Sequence, residues 1–139
     1  MHSLIINEKM EKLYKLTLYL LMFILTTGCS TNDNRKQLAV IENMLGQQKN
    51  EEANKLLNDI HPEALEDDSE CKALYWLFKM QSDVRLGNPI PSVDPLRFSV
   101  DYFKKRNDLD RLVWVYYYMG FVLDDLGRKS EAVIFLKKG

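Results

Sequence analysis

The sequence predicts an all-α protein made of antiparallel helical hairpins that follow a hydrophobic N-terminal leader. In the 139 residues, prolines occur only at positions 62, 89, 91 and 95, so long stretches lack a helix breaker. Along these stretches, apolar residues recur at every third or fourth position, which is the spacing of an amphipathic helix. The alternating pattern of a half-buried strand is nowhere indicated.

The first predicted element is an export signal. No charged residue occurs between Lys15 and Asp33, and residues 16–25 are apolar apart from one threonine and one tyrosine, behind three lysines. This order of segments is typical of a signal peptide. The apolar run is about half of the roughly 20 residues that a membrane-spanning helix needs. A start at Met10 instead of Met1 gives a more compact basic segment, so we expect translation to start at Met10.

The leader ends in residues 25–29, LTTGC, which resemble the lipobox of bacterial lipoproteins. In that family a small residue precedes a cysteine that is lipidated and becomes the mature N-terminus. The family's leucine stands three positions before the cysteine, and here Leu25 is one position further away. The resemblance implies a signal peptide over 1–28, a lipid on Cys29 and a polar tether over 29–34. Several acyl chains together bind a bilayer durably, so we expect anchoring to the cell membrane or outer membrane, on its periplasmic or extracellular face. The alternative is a cysteine that merely ends the apolar run of an unlipidated leader.

Six helices are predicted over 35–139, and the first two form a pair. They run over about 34–45 and 51–60. Gly46 ends the first helix, and Asn50 caps the second. The predicted core residues of the pair are Leu38, Ile41, Leu45, Ala53, Leu56, Leu57 and Ile60. The short connection makes the two helices antiparallel neighbours.

The third and fourth helices form the second pair, joined by the longest loop. The third begins after the polar segment 67–69, whose two carboxylates complement the positive end of the helix dipole, and it ends at Gly87. The fourth begins at Asp94 and Pro95, an N-cap with proline at the first helical position. The predicted core residues are Cys71, Leu74, Tyr75, Phe78, Leu96, Ser99, Val100 and Phe103.

The fifth and sixth helices form the last pair. The fifth runs over about 109–126 and ends at Gly127, and the sixth begins near Ser130. Their predicted core residues are Leu112, Tyr116, Met119, Gly120, Leu123, Ala132, Phe135 and Leu136.

An internal repeat relates the three pairs. In each pair, the second helix carries a small residue followed four positions later by a large one: Ala53 and Leu57, Ser99 and Phe103, Ala132 and Leu136. Ser99 and Ala132 are 33 residues apart, close to the roughly 34-residue period of the tetratricopeptide repeat. The longer spacing before Ser99 is absorbed by the loop of the second pair.

The last pair resembles a tetratricopeptide repeat, whose first helix has the form W-x2-L-G-x2-Y. Seven residues carry the resemblance: Tyr116, Met119, Gly120 and Leu123 in that motif, Gly127 in the turn, and Ala132 and Leu136 in the second helix. The resemblance implies a short solenoid of about three hairpins over 35–139. Glycine inside a helix costs ~1 kcal/mol relative to alanine, so we expect Gly120 to be compensated by close approach of the helix that carries Ala132. The alternative is a generic helical bundle.

Charge, cysteines and histidines argue against several functions. The 19 basic and 20 acidic residues give a net charge of −1, and no basic patch is concentrated anywhere, so the phosphate attraction that nucleic-acid binding needs is missing. The two cysteines and two histidines have no zinc-site spacing. We therefore expect no nucleic-acid partner in this segment, no metal and no cofactor.

No catalytic set of residues can be assembled from the sequence. His61, the one histidine after the leader, stands beside a proline at a helix end, where a capping or exposed role is expected. Cys71 is in phase with the apolar face of the third helix, which predicts a buried thiol. The acidic residues of 63–70 match no calcium-loop spacing and more simply belong to a loop and a helix start. The sequence therefore predicts a protein that is not an enzyme.

Four aromatic residues of the fifth helix indicate a binding surface. Trp114, Tyr117, Tyr118 and Phe121 lie beside the stripe that packs against the sixth helix, so their own hairpin cannot bury them all. In a tetratricopeptide stack this face lines the inner surface, which implies a site for an unidentified protein or peptide, and Trp76 could join it. Large amphipathic rings suit protein contacts. The alternative is that neighbouring repeats bury most of these rings.

The sequence stops at Gly139, inside the second helix of its clearest repeat, so we expect an N-terminal fragment of a longer protein. The predicted function is a lipid-anchored scaffold that binds a protein or peptide partner at the cell envelope. Two alternatives stay open: the sensory N-terminal region of a longer membrane signal-transduction or transcription-regulating protein, and an enzyme whose catalytic part is missing.

Overall fold

The computed structural model describes residues 2–27 and 30–139, with side chains over 2–21 and 32–139. It confirms the all-α prediction, because the described residues form helices joined by short turns and loops and contain no strand. The helices are α1 His2–Thr27, α2 Ser30–Gly46, α3 Asn50–Asp59, α4 Ser69–Leu86, α5 Asp94–Arg106, α6 Leu109–Asp125 and α7 Lys129–Leu136, with a short 3-10 helix at Pro62–Leu65.

The chain divides into two compact units, Met1–Asp33 and Asn34–Gly139. The first unit contains α1, whose described side chains are all exposed. Among the helices that the structure describes, none is both long and apolar enough to cross a membrane. Cys29, the predicted lipidation site, lies outside the described residues.

Residues 30–34, which belong to the predicted polar tether over 29–34, form the beginning of α2. The local reason is Asp33, which lies in the first turn, where a carboxylate is favoured by the positive end of the helix dipole.

Helix ends follow local chemistry. Gly87 adopts a left-handed conformation with φ 69° and ends α4 as predicted. Asp68 caps the start of α4 by accepting a hydrogen bond from the Cys71 backbone N–H at 3.1 Å. The two predicted N-caps, Asn50 and Asp94, are instead the first residues of their helices.

In the second unit, helices that follow one another in the chain pack together. From α3 to α7 each helix contacts the next, and α4 also contacts α6. Polar contacts join α2 to its neighbours: Arg35 forms ion pairs of 2.9 Å with Asp68 and Glu70, and the Gln37 amide donates to the Leu56 carbonyl at 3.1 Å. The largest fully buried side chains include Leu38, Ile41, Leu45, Leu57, Leu96, Phe103, Met119 and Leu123.

The small residues of the repeat pattern are buried where helices meet. Ala53, Ser99 and Ala132 are all buried, and the Ser99 hydroxyl donates to the Ala73 carbonyl of α4 at 2.8 Å. A Cβ placed on Gly120 would lie 2.5 Å from Leu136 Cγ and 3.3 Å from the Ala132 carbonyl oxygen. The crossing of α6 and α7 therefore has no room for a side chain at this position.

The other residues assigned to the repeat lie near the same crossing. Tyr116, Met119 and Leu123 are buried in α6. Gly127 has φ 76°, the left-handed conformation of a turn, and no atom would contact a Cβ there. Leu136 is half-exposed, although we expected it to fill the interior of the pair.

Candidate binding surface

Three of the four predicted aromatic residues of α6, Trp114, Tyr117 and Tyr118, form one cluster. Their spacing of three and four positions brings them to the same side of the helix. Trp114 stacks against Tyr118 with ring centroids 6.2 Å apart, and Tyr117 meets Tyr118 edge-on at 5.1 Å. Trp114 is 50% exposed, and Tyr117 and Phe121 are each 47% exposed. These three rings therefore present apolar area to solvent.

Tyr118 has a different position from its three neighbours. Only 2% of Tyr118 is exposed, so its ring supports Trp114 from below instead of facing solvent. Burial raises the pKa of the Tyr118 hydroxyl, and the Arg85 guanidinium beside it lowers this pKa in part. Among the four predicted contact residues, Tyr118 thus supports Trp114 and Tyr117 and offers little area of its own. Trp76 is only partly exposed and packs against the core, edge-on to Tyr75 at 4.9 Å.

A cavity of about 550 Å³ opens beside the aromatic cluster. Three helical segments supply its walls: α4, α6 and the end of α7 with the residues after it. The lining residues are Val84, Arg85, Val113, Trp114, Tyr117, Tyr118, Leu136 and Gly139. Most are apolar, and Arg85 is the one charged side chain in this lining. The size and composition fit a site for a large apolar group.

Two smaller depressions continue this cavity. One of about 340 Å³ shares Arg85 and Trp114 with it and reaches α2 at Glu42 and Leu45. Another of about 180 Å³ shares Glu42 and Arg111 with the second. Together the three depressions form a groove, which we call the α2–α4–α6 groove because residues of these three helices line it in turn.

Two arginines in the groove, Arg111 and Arg85, have different kinds of hydrogen-bond acceptor. Arg111 donates to Asp108 at 2.9 Å and to Glu42 at 3.3 Å, so its charge is balanced by carboxylates. Arg85 instead donates to the Leu45 carbonyl at 2.8 Å and to the Asn50 side-chain oxygen at 3.3 Å, which are neutral acceptors.

Gln81 provides a further neutral acceptor. When the oxygen of the Gln81 amide is turned toward Arg85, it accepts a hydrogen bond from the guanidinium at 2.8 Å.

The sequence analysis did not identify Arg85 and Arg111 as residues of the site. Periodicity places both on exposed helix faces, but only the packing of three helices shows that they border one groove.

Of the remaining candidates for chemistry, Cys71 lines the 180 Å³ depression of the groove, away from the aromatic rings, and His61 lines none of the three depressions. Cys71 is a free, buried thiol, and burial together with Asp68 raises its pKa to about 11. His61 is exposed and precedes the 3-10 helix, where its carbonyl accepts from the Ala64 N–H at 2.9 Å. Within the part of the chain that the structure describes, no three ligating side chains come together as a metal site.

Comparison with known proteins gives no match: no family model, no curated protein and no solved structure is similar to this chain at a significant level. The likeness to a tetratricopeptide repeat and to a lipobox therefore depends on the residues of this chain alone.

Proposed function

We propose that the protein is a lipid-anchored scaffold of the cell envelope whose tetratricopeptide-like helices bind a protein or peptide partner. The observation that carries the proposal is the pair of exposed rings, Trp114 and Tyr117, that line the 550 Å³ cavity at one end of the α2–α4–α6 groove. A contiguous exposed apolar patch indicates an interaction site more than single exposed residues do, and aromatic residues are enriched in protein interfaces.

The order of helix contacts supports a tetratricopeptide-like stack. In such a stack, each helix packs on the next, and the first helices of neighbouring pairs also touch. The contacts from α3 to α7 and between α4 and α6 follow this pattern. Two small residues 33 positions apart, Ser99 in α5 and Ala132 in α7, are both buried, and this supports a repeat of about 34 residues. The groove then corresponds to the inner surface of the stack.

Membrane anchoring through Cys29 is the second part of the proposal. Its support is the sequence of residues 16–29, in which an apolar run without charges ends in glycine and cysteine. An anchored scaffold of this kind needs no catalytic residues, and we propose that the protein acts by binding and not by catalysis.

The proposal is tested by selecting a random peptide display library against the full chain in mild detergent. We expect peptides that bind the unaltered chain and lose binding to the double variant Trp114→Ala with Tyr117→Ala. A matched control is Val133→Ala with Ile134→Ala, two half-exposed apolar residues of α7 that do not line the groove, and it should bind normally. Far-UV circular dichroism should be the same for all three proteins. Peptides that bind the ring variant equally well would refute the proposed surface.

A further inference from the structure

Arg85 differs from most other arginines in the described part of the chain. Arg35, Arg97, Arg111 and Arg128 each form an ion pair with a carboxylate. For Arg85 no carboxylate lies within ion-pair distance among the described residues, and its acceptors include the oxygens of Leu45, Asn50 and Gln81, with the Tyr118 hydroxyl beside it. Neutral oxygens therefore fix the position of the Arg85 guanidinium, and no carboxylate side chain described in the structure is close enough to neutralise its charge.

The geometry of Arg85 leaves it able to bind a further group. A guanidinium has five N–H donors. Nη1 donates to Leu45 and Asn50, and Nη2 donates to Gln81 at 2.8 Å, so these three acceptors leave the Nε–H and one Nη2–H unused. The planar arrangement of these donors matches the two oxygens of a carboxylate. Arg85 is also exposed, so a carboxylate can reach it from solvent.

The position of Arg85 connects this charge to the aromatic cluster. Arg85 and Trp114 line both the 550 Å³ cavity and the adjoining 340 Å³ depression. A chain segment that places a large apolar side chain in the cavity therefore brings its neighbouring residues past the guanidinium. Arg85 is the one charged side chain in the lining of the 550 Å³ cavity, so this wall favours a negative partner group.

We infer that the α2–α4–α6 groove recognises a peptide segment of a partner protein in which an acidic side chain stands within a few residues of a large apolar side chain. The apolar side chain lies against Trp114 and Tyr117, and the carboxylate pairs with Arg85. This inference rests on the proposed function and adds the chemistry of the partner.

The test uses the same random peptide display library on the full chain and compares two single variants that remove one positive charge each. Arg85→Gln removes the charge in the groove. Arg106→Gln is the matched control, because Arg106 also lacks a carboxylate partner among the described residues but lies over the Tyr102 ring at the end of α5. Peptides selected by the unaltered chain should be enriched in aspartate or glutamate near an aromatic or aliphatic residue.

Synthetic peptides from this selection should bind Arg85→Gln about tenfold more weakly than the unaltered chain, as for a lost hydrogen-bonded charge pair. Binding to Arg106→Gln should be unchanged, and the loss should shrink at high salt. Selection with Arg85→Glu should enrich basic in place of acidic residues. Groove-binding peptides without acidic enrichment, or equal losses in both glutamine variants, would overturn this inference and leave the proposed function intact. Absence of any peptide that depends on Trp114 would overturn both.

Discussion

Replacement of Gly120 by alanine tests the close crossing of α6 and α7. Two effects oppose each other at this position. Alanine in place of glycine inside a helix contributes ~1 kcal/mol of stability. The new Cβ would lie 2.5 Å from Leu136 Cγ and 2.7 Å from its Cδ2, so the Leu136 side chain has to move.

The magnitude follows from what Leu136 loses. Its side chain is 48% exposed, so swinging it into solvent costs about 1 kcal/mol of burial, and a strained rotamer costs about 0.5–1.5 kcal/mol. These costs exceed the gain in helix propensity, and we expect Gly120→Ala to destabilise the protein by about 1 kcal/mol. When Leu136 is already alanine, only the Ala132 carbonyl at 3.3 Å resists the new methyl group. In that background Gly120→Ala should be neutral or stabilising.

The assay is a double-mutant cycle with Gly120→Ala and Leu136→Ala, followed by chemical denaturation of the full chain in mild detergent. The expected coupling free energy is about 1–2 kcal/mol. Gly46→Ala is the matched control, because nothing lies within 4 Å of a Cβ there, and it should show no coupling to Leu136→Ala. If the changes in the free energy of unfolding of the two single variants sum to that of the double variant within about 0.3 kcal/mol, the close crossing of α6 and α7 is refuted.

Three further predictions concern single residues. Cys29→Ala should abolish metabolic labelling with palmitate, whereas Cys71→Ala should keep it; labelling that survives loss of Cys29 would exclude this residue as the lipid site. Burial by itself would raise the pKa of Asp68, but hydrogen bonds from the Cys71 N–H and from Arg35 outweigh it and leave this pKa below its ordinary value of 3.8. The stability that the Asp68 carboxylate contributes is therefore complete above about pH 4 and is lost as the pH falls through the lowered pKa. In Asp68→Asn the free energy of unfolding should consequently fall less steeply as the pH is lowered below about 4. An unchanged dependence on pH would show that Asp68 does not contribute to acid unfolding. The Cys71 thiol, with its pKa raised to about 11, should resist iodoacetamide at neutral pH in the folded protein and react after denaturation; rapid reaction without denaturant would contradict its burial.

Helix order and most helix ends could be predicted from the sequence because they depend on neighbours in the chain. Gly87 ends α4 through its own left-handed backbone, and Asp68 caps α4 within three residues. The 3-10 helix at Pro62–Leu65 was missed, since it contains a single buried residue, Leu65, and four residues are too few for a period to emerge.

The candidate site could be predicted only in part. Helical phase identified the exposed rings of Trp114, Tyr117 and Phe121, since exposure on one helix depends on spacing. It failed to separate Tyr118 from them, because the burial of Tyr118 depends on α4, which a single-helix argument does not place. Arg85 was missed for the same reason: its acceptors on Leu45 and Asn50 lie 40 and 35 residues earlier in the chain.

Gly120 connects the packing of the last hairpin to the surface that we propose for binding. Because position 120 has no side chain, Leu136 can lie directly against α6, and the same Leu136 lines the 550 Å³ cavity beside Trp114 and Tyr117. Gly120 therefore determines more than the spacing of α6 and α7. A larger residue at 120 displaces one wall of the cavity, so peptide binding should weaken in Gly120→Ala even where the loss of stability is only about 1 kcal/mol.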